Sequence, residues 1–272
     1  MEPQKENFRQ KVNFAADLKG FTIPAVTGDR MYACLFTPAE EGPRPTVLLL
    51  HGYPGDENNY DLAHAFQRAG YTTVVFHYRG TWGSEGKFSL SHVLEDVSSA
   101  VGFIRAHDGD EAYRFDAHRL ILIGHSMGGF AALQTAAAAS GLLGVGAVAA
   151  FDFSLAAKNE KLRDAVRREF ADCVPIRRIE LDGLMGEIDE NAERWSFPRL
   201  AGGLSGLPVC LIGAADDEIS LPERHLFPLY RSLLRAPGAN VTFRMLNGGH
   251  CLSGTRLELA DCLLGWMDRL QS

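Results

Sequence analysis

The stretch Arg119–Ala132, RLILIGHSMGGFAA, decides how the rest of the chain is read. Leu120, Ile121, Leu122 and Ile123 make an unbroken apolar run that stops at Gly124. His125-Ser126-Met127-Gly128-Gly129 follows, and then an Ala-rich segment suited to a helix. The pattern is strand, tight turn, helix, with Ser126 at the tip of the turn. Its spacing, Gly-x-Ser-x-Gly, has a physical reason. The turn strains the backbone at the Ser and brings strand and helix close together, so side chains at 124 and 128 would collide with that packing. A strand–turn–helix whose Ser only caps the helix has the same local pattern, and the remaining sequence has to separate the two readings.

At 272 residues, 46% hydrophobic and 22% charged, the chain suits one large α/β domain or such a domain with an insertion. A formal net charge of −7, without a basic run, argues against a nucleic-acid partner. Cys34, Cys173, Cys210, Cys251 and Cys262 form no CxxC pair. They read as free thiols in a reducing compartment, not as a disulfide framework or zinc site. The polar start, MEPQKENFRQKVNF, lacks the apolar core of a secretory signal, and no stretch is long and apolar enough to span a bilayer. The expectation is a cytoplasmic protein without membrane partners; a homodimer stays open.

Strand and helix patterns alternate around the opening stretch. Residues 1 to about 20 read as an arm or a first edge strand. Phe21–Val26 and Arg30–Phe36 flank the turn Thr27-Gly28-Asp29 and predict an antiparallel hairpin at the sheet edge. Thr46–Leu50, Tyr71–His77, Val145–Phe151, Pro208–Ala214 and Asn240–Leu246 are further strands. Helices are expected at Asp61–Ala69, Ser91–His107, Leu221–Leu234 and Gly254–Leu270. Such alternation implies right-handed crossovers and a mostly parallel sheet. Between Ser154 and about Gly206 the pattern turns charged and helical, with no strand to be picked out.

Activating a Ser hydroxyl takes a base near neutrality, and the base needs a carboxylate to hold its tautomer. Ser126 is followed along the chain by Asp216 or Asp217 after one strand and by His250 after the last. Both later sites fall at the carboxyl ends of strands, where open α/β sheets bind ligands. Of nine histidines, His64, His92, His107, His118 and His225 sit in helical or polar contexts that suit the surface. His77 ends a strand and could line a pocket.

These residues together resemble the α/β-hydrolase fold from about Phe21 onward, with Gly124-His125-Ser126-Met127-Gly128 as its nucleophile elbow. The resemblance implies a mostly parallel eight-stranded sheet flanked by helices, with a core of 1–153 and 207–272 and a helical cap over 154–206. It implies backbone N–H donors for an oxyanion at Tyr53, in His51-Gly52-Tyr53-Pro54-Gly55, and at Met127. The segment from Arg79 to Ser84 is similar to the family's R-G-x-G-x-S loop with one extra position, Trp82. The family's Gly-x-x-Asp-x-x-(Val/Ile) pattern aligns on Gly213, Asp216 and Ile219, which assigns the acid to Asp216 and leaves Asp217 as a loop or surface partner and Glu218 facing solvent. His250 takes the base position, and Cys251 reads as a packing thiol.

The implied reaction is acyl transfer to water through an acyl-enzyme on Ser126, requiring neither a metal nor an organic cofactor. The segment from His51 to Gly86 looks most like small esterases of the cinnamoyl/feruloyl type and prolyl-oligopeptidase-like hydrolases. A small carboxylic ester is therefore the expected substrate. Alternatives are a small-peptide or aminoacyl hydrolase, a thioesterase or acyltransferase, and a non-catalytic ligand-binding member of the fold.

Overall fold

The computed structural model describes residues 15–171, 176 and 179–271. In chain order the strands are β1 (Asp17–Pro24), β2 (Arg30–Thr37), β3 (Arg44–Leu50), β4 (Thr72–Phe76), β5 (Phe115–His125), β6 (Gly144–Val148), β7 (Val209–Ala214) and β8 (Val241–Leu246). The helices are α1 (Tyr60–Arg68), α2 (Leu90–Ala106), α3 (Met127–Ala138), α4 (Glu160–Ala171), α5 (Leu181–Trp195), α6 (Pro222–His225), α7 (Phe227–Leu233) and α8 (Arg256–Gln271). The eight strands form one sheet in the order β1-β2-β4-β3-β5-β6-β7-β8. β1 and β2 pair antiparallel from Pro24↔Arg30 outward, as the hairpin reading expects, and β2 pairs antiparallel with β4. All later neighbours are parallel. The first fourteen residues of the expected arm lie outside the described residues.

The central strands are buried on both faces, which explains their unbroken apolar runs. Leu48, Leu50, Leu120 and Leu122 enter the core shared with α2 and α3, while Val47, Leu49, Ile121 and Ile123 enter the one shared with α1 and α8. Several boundaries differ from expectation; β6, for one, ends at Val148, short of the expected Phe151. The helix predicted over 221–234 is broken at Leu226 into α6 and α7, because Pro228 in the second turn cannot donate a helical hydrogen bond. The strand β5 begins at Phe115, four residues earlier than the quoted stretch, with Asp116 turned onto the Arg119 guanidinium at 2.6 Å.

Between β6 and β7 lie α4 and α5, flanked by 3-10 turns at Phe153–Ala157 and Phe197–Ala201. Arg163–Asp189 and Arg167–Asp182 ion pairs join α4 to α5. The segment is also tied to the core. The Glu187 carboxylate accepts from the amides of Leu90 and Ser91 at the start of α2, and Trp195 is fully buried edge-on against Phe130. Asp152 holds both ends of the insertion, accepting from the Ser154 amide with one oxygen and the Phe197 amide with the other, each at 3.0 Å.

The order of strands places the site. From β3 the chain passes through α1 to β4 on one side, then crosses back over β3 to β5. Connections leaving the carboxyl ends of β3 and β5 therefore diverge and leave a crevice between them. His51–Gly55 forms one wall of that crevice and Ser126 the other.

Candidate active site

Ser126 has φ 54° and ψ −117°, a conformation outside the ordinary regions for an L-residue that costs about 1–3 kcal/mol. The surroundings hold it there. The Ser126 amide donates to Val148 O at 2.9 Å, and its carbonyl accepts from Phe130 and Phe151. The small residues beside it are obligatory: a Cβ at Gly124 would lie 2.1 Å from Gly128 O, and one at Gly128 would lie 2.1 Å from Leu50 O. The bent backbone lifts Oγ off the end of β5.

The Ser126 hydroxyl lies 2.9 Å from His250 Nε2, and His250 Nδ1 lies 2.9 Å from Asp217 Oδ2. A carboxylate only accepts, so Nδ1 carries the imidazole proton and Nε2 is left to accept from Ser126. The second oxygen of Asp217 accepts from the amides of Ile219 at 2.9 Å and Ser220 at 2.7 Å. Burial pushes the Asp217 carboxyl up, but its hydrogen bond to His250, the imidazole charge and these two amides together hold it below the usual carboxylate range. The side chain of Asp217 is fully buried and that of His250 nearly so, 13% exposed.

The acid brought to His250 is thus Asp217, and the expectation for Asp216 is corrected. After β7 the amides of Ala215 and Asp216 continue the pairing toward Leu246 and Gly248, so Asp216 points outward and is exposed. The chain then turns, and the next side chain faces in. The Gly213–Ile219 alignment was misleading because its apolar anchor is not an anchor: Ile219 is 53% exposed. The better signal is local, since Asp217 followed by four residues and Pro222 suits an Asp side chain that folds back onto the amides two and three residues ahead.

His225 is also corrected. It is buried, its ring tilted against that of Phe151 at 4.5 Å, and its Nδ1 accepts from the Asp152 amide at 2.9 Å. Burial lowers it to about 4. His77 does not line the cavity beside Ser126 but contacts His51. His125 Nε2 donates to His250 O at 2.8 Å, tying the elbow to the loop that carries the base. Cys34, Cys210, Cys251 and Cys262 are free thiols, and Cys173 lies outside the described residues.

Tyr53 and Met127 both line the cavity that contains Ser126 and His250. As the first residue of α3, Met127 has an amide with no partner inside the helix. The cavity measures about 220 Å³, and Phe151, Phe153, Val166 and Phe170 make it mostly apolar. The ring of Tyr53 packs 4.1 Å from that of Phe170 on α4, and its hydroxyl donates to Phe170 O at 3.3 Å. Glu169 and Glu218, both exposed, lie at its margin. A larger groove of about 600 Å³ between α2, α3 and α5 is lined by residues such as Leu94 and Gln134 and includes neither Ser126 nor His250.

A loop the sequence set apart packs against His51–Gly55. Arg79 is buried, its Nε donating to Asp96 at 2.5 Å and its Nη2 to Glu95 at 2.7 Å, which anchors residues 78–86 on α2. Trp82, the extra residue, adopts φ 47° and donates its indole N–H to Pro54 O at 2.7 Å. Among the described residues no group of three or more His, Cys, Asp or Glu side chains is arranged to hold a metal ion, and no helix is long and apolar enough to cross a membrane.

Sheet order, strained Ser and crossing loops are those of one large fold family. The model of the Alpha/beta hydrolase family matches residues 47–261, and the chain belongs to that family. In sequence it is similar to the quorum-quenching protein AidA of Acinetobacter baumannii, 32% identical over 111 residues. That match covers 39% of this chain and 35% of AidA, so the chain spans about a third of that relative. The uncharacterized protein YfhR of Salmonella typhi is 25% identical over 240 residues, 82% of this chain and 71% of YfhR. Among solved structures, the Pyrococcus furiosus esterase Pf2001 superposes with a TM-score of 0.70 at 16% identity, covering 97% of this chain and 96% of that one. Est1E from Butyrivibrio proteoclasticus gives a TM-score of 0.70 at 14% identity, covering 92% and 98%.

Proposed function

We propose that this protein is a serine hydrolase acting on small carboxylic esters. The observation that carries the reading is the hydrogen-bonded series Ser126 Oγ, His250 Nε2, His250 Nδ1, Asp217 Oδ2, with both links at 2.9 Å. In it His250 removes the hydroxyl proton as Ser126 attacks the ester carbonyl, and Asp217 stabilises the imidazolium that forms. The amides of Tyr53 and Met127 receive the negative charge on the carbonyl oxygen. The tetrahedral adduct collapses as His250 returns the proton to the departing alkoxide, leaving an acyl-enzyme. Water then attacks with His250 again as base, releasing the acid and restoring the Ser126 hydroxyl.

The cavity supports an acyl group that is compact and apolar. Its volume of about 220 Å³ is below the usual range for drug-sized ligands, and among the described residues its lining holds no Lys or Arg for a free carboxylate. Residues 154–206 act in this reading as a cap, with α4 supplying Val166 and Phe170 to the wall and Asp152 fixing where the cap joins the core. Solved proteins of this shape carry the name esterase, which agrees with an ester substrate. Hydrolysis of p-nitrophenyl acetate, butyrate, hexanoate and decanoate tests the reading. The expected result is a kcat/KM that peaks at or before hexanoate and falls at decanoate. Equal rates along the series would contradict a small acyl site.

A further inference from the structure

The peptide unit between Gly52 and Tyr53 is where the proposed oxyanion donor is aimed, and the fold grips its opposite end. This peptide is trans, so its C=O and N–H point in opposite directions. Its carbonyl, Gly52 O, lies 2.7 Å from His51 Nδ1. A carbonyl only accepts, so Nδ1 of His51 carries the proton and Nε2 is the bare nitrogen. His51 Nε2 lies 3.3 Å from His77 Nδ1. With Nε2 bare, the proton in that second contact sits on His77.

Both rings are almost wholly buried, 1% and 5% exposed. Burial holds them neutral, His51 at about 3 and His77 at about 4, so each keeps one donor and one acceptor at working pH. Further hydrogen bonds hold the backbone on either side of that unit and of the His77 ring. The Tyr78 hydroxyl donates to His51 O at 3.1 Å, the Ser84 hydroxyl to His77 O at 2.7 Å, and Trp82 to Pro54 O. Gly55 has φ 103°, and a Cβ there would meet Trp82 Nε1 at 2.5 Å and His51 Cε1 at 2.9 Å, so the loop is folded tightly over the His51 ring.

Resting on the hydrolase reading above, we infer that His77 and His51 form a two-imidazole relay that aims the Tyr53 amide at the oxyanion. His77 Nδ1–H donates to His51 Nε2, and His51 Nδ1–H draws the Gly52 carbonyl inward. The N–H at the other end of the same rigid peptide is thereby turned toward the crevice beside Ser126. Hydrogen bonding to the carbonyl also polarises the peptide and makes that N–H a better donor. Neither ring touches the reacting atoms, so both are positioning residues.

The test uses His51→Leu, His51→Asn, His77→Leu and His77→Asn, the asparagines keeping an N–H at the Nδ1 position. For each variant, kcat and KM on p-nitrophenyl butyrate, the Ki of an aryl trifluoromethyl ketone and the Tm are measured. The ketone forms a tetrahedral oxyanion adduct with the Ser, so its affinity reports the oxyanion donors directly. Removing one oxyanion donor costs about 100- to 1000-fold. Misaiming one through His51→Leu is expected to lower kcat by about 30- to 100-fold, with KM within twofold and Ki raised by the same factor as kcat falls. His77→Leu is expected to give a smaller loss, about fivefold, along the same line, and each asparagine variant is expected to recover most of its leucine partner's loss. If His51→Leu does not fold, the His77 pair and His51→Asn carry the comparison. Loss of kcat with Ki unchanged, or asparagine and leucine variants alike, overturns the relay. Failure of the underlying reading shows separately, as a wild type with no Ser126-dependent hydrolysis.

Discussion

Replacing Asp217 by Asn, beside the same change at Asp216, distinguishes two adjacent carboxylates by a large factor. Asp217→Asn keeps the size of the side chain, and its amide oxygen can still accept from Ile219 and Ser220. What it removes is the negative charge 2.9 Å from His250 Nδ1 and the demand that this nitrogen carry the proton. With an amide N–H facing it, His250 is stabilised in the tautomer that places the proton on Nε2, where it cannot accept from Ser126. In the chymotrypsin-type triad this change costs about 10⁴-fold in kcat, which corresponds to about 5 kcal/mol of transition-state stabilisation. The same order is expected here, with KM changed little. Asp216→Asn alters an exposed side chain outside the network and should stay within about threefold of wild type, the scale of an ordinary surface change. Steady-state kinetics on p-nitrophenyl butyrate, with Tm to show that both variants fold, reads this directly. An Asp217→Asn protein that keeps a tenth of wild-type kcat, or an Asp216→Asn protein that loses a hundredfold, would show that Asp217 is not the carboxylate that serves His250.

Three further outcomes concern the frame of the site. Gly128→Ala places a Cβ 2.1 Å from Leu50 O and 2.7 Å from His51 O, both backbone atoms that cannot swing aside, so a loss of about 3 kcal/mol or more is expected in urea unfolding; an unchanged midpoint would show that the elbow is less tightly packed than described. Asp152→Ala leaves the buried amides of Ser154 and Phe197 without their acceptor, for a loss of about 2–4 kcal/mol and faster proteolytic nicking within 154–206, while Asp152→Asn, which retains acceptor oxygen at one of the two positions, should lose less. Stability should fall in mild acid. His51, His77, His125 and His225 titrate at about 3, 4, 4 and 4 in the folded protein against 6.5 when exposed, each lowered first by burial. Between those values the unfolded chain binds more protons, so stability is fully present above about pH 6.5 and is lost on descending toward pH 4, by about 2 kcal/mol per ring at pH 5. A urea midpoint that is flat from pH 7 to pH 5 would contradict neutral burial of these rings.

Much of this architecture was legible before any coordinates. Runs such as Leu120–Ile123 are apolar without alternation because both faces of the central strands are covered, and that pattern survives in one dimension. Gly124 and Gly128 could be read as contact points because no other residue tolerates a backbone 2.1 Å from its Cβ. What failed was orientation within a turn. Asp216 and Asp217 are chemically identical neighbours, and only the pairing of Ala215 and Asp216 with the end of β8 decides which faces inward. His225 reads as a surface residue in a helix over 221–234, but the break at Leu226 leaves it in a four-residue helix whose ring is buried against Phe151. The double hold of Asp152 on residues 154 and 197 joins positions more than forty residues apart, and no local pattern could display it. Trp82 stood out as an extra residue in its loop, yet its partner, Pro54 O, became visible only in three dimensions.

The proposed chemistry depends on Ser126 being an activated nucleophile, and a fluorophosphonate probe reports that property, since stable phosphonylation requires an attacking Ser with its base and oxyanion donors in place. Stoichiometric labelling of the wild type, mapped by peptide mass spectrometry to Ser126, is expected, with none of Ser126→Ala at equal Tm. A folded wild type that remains unlabelled, or a label found on a residue other than Ser126, would contradict that chemistry.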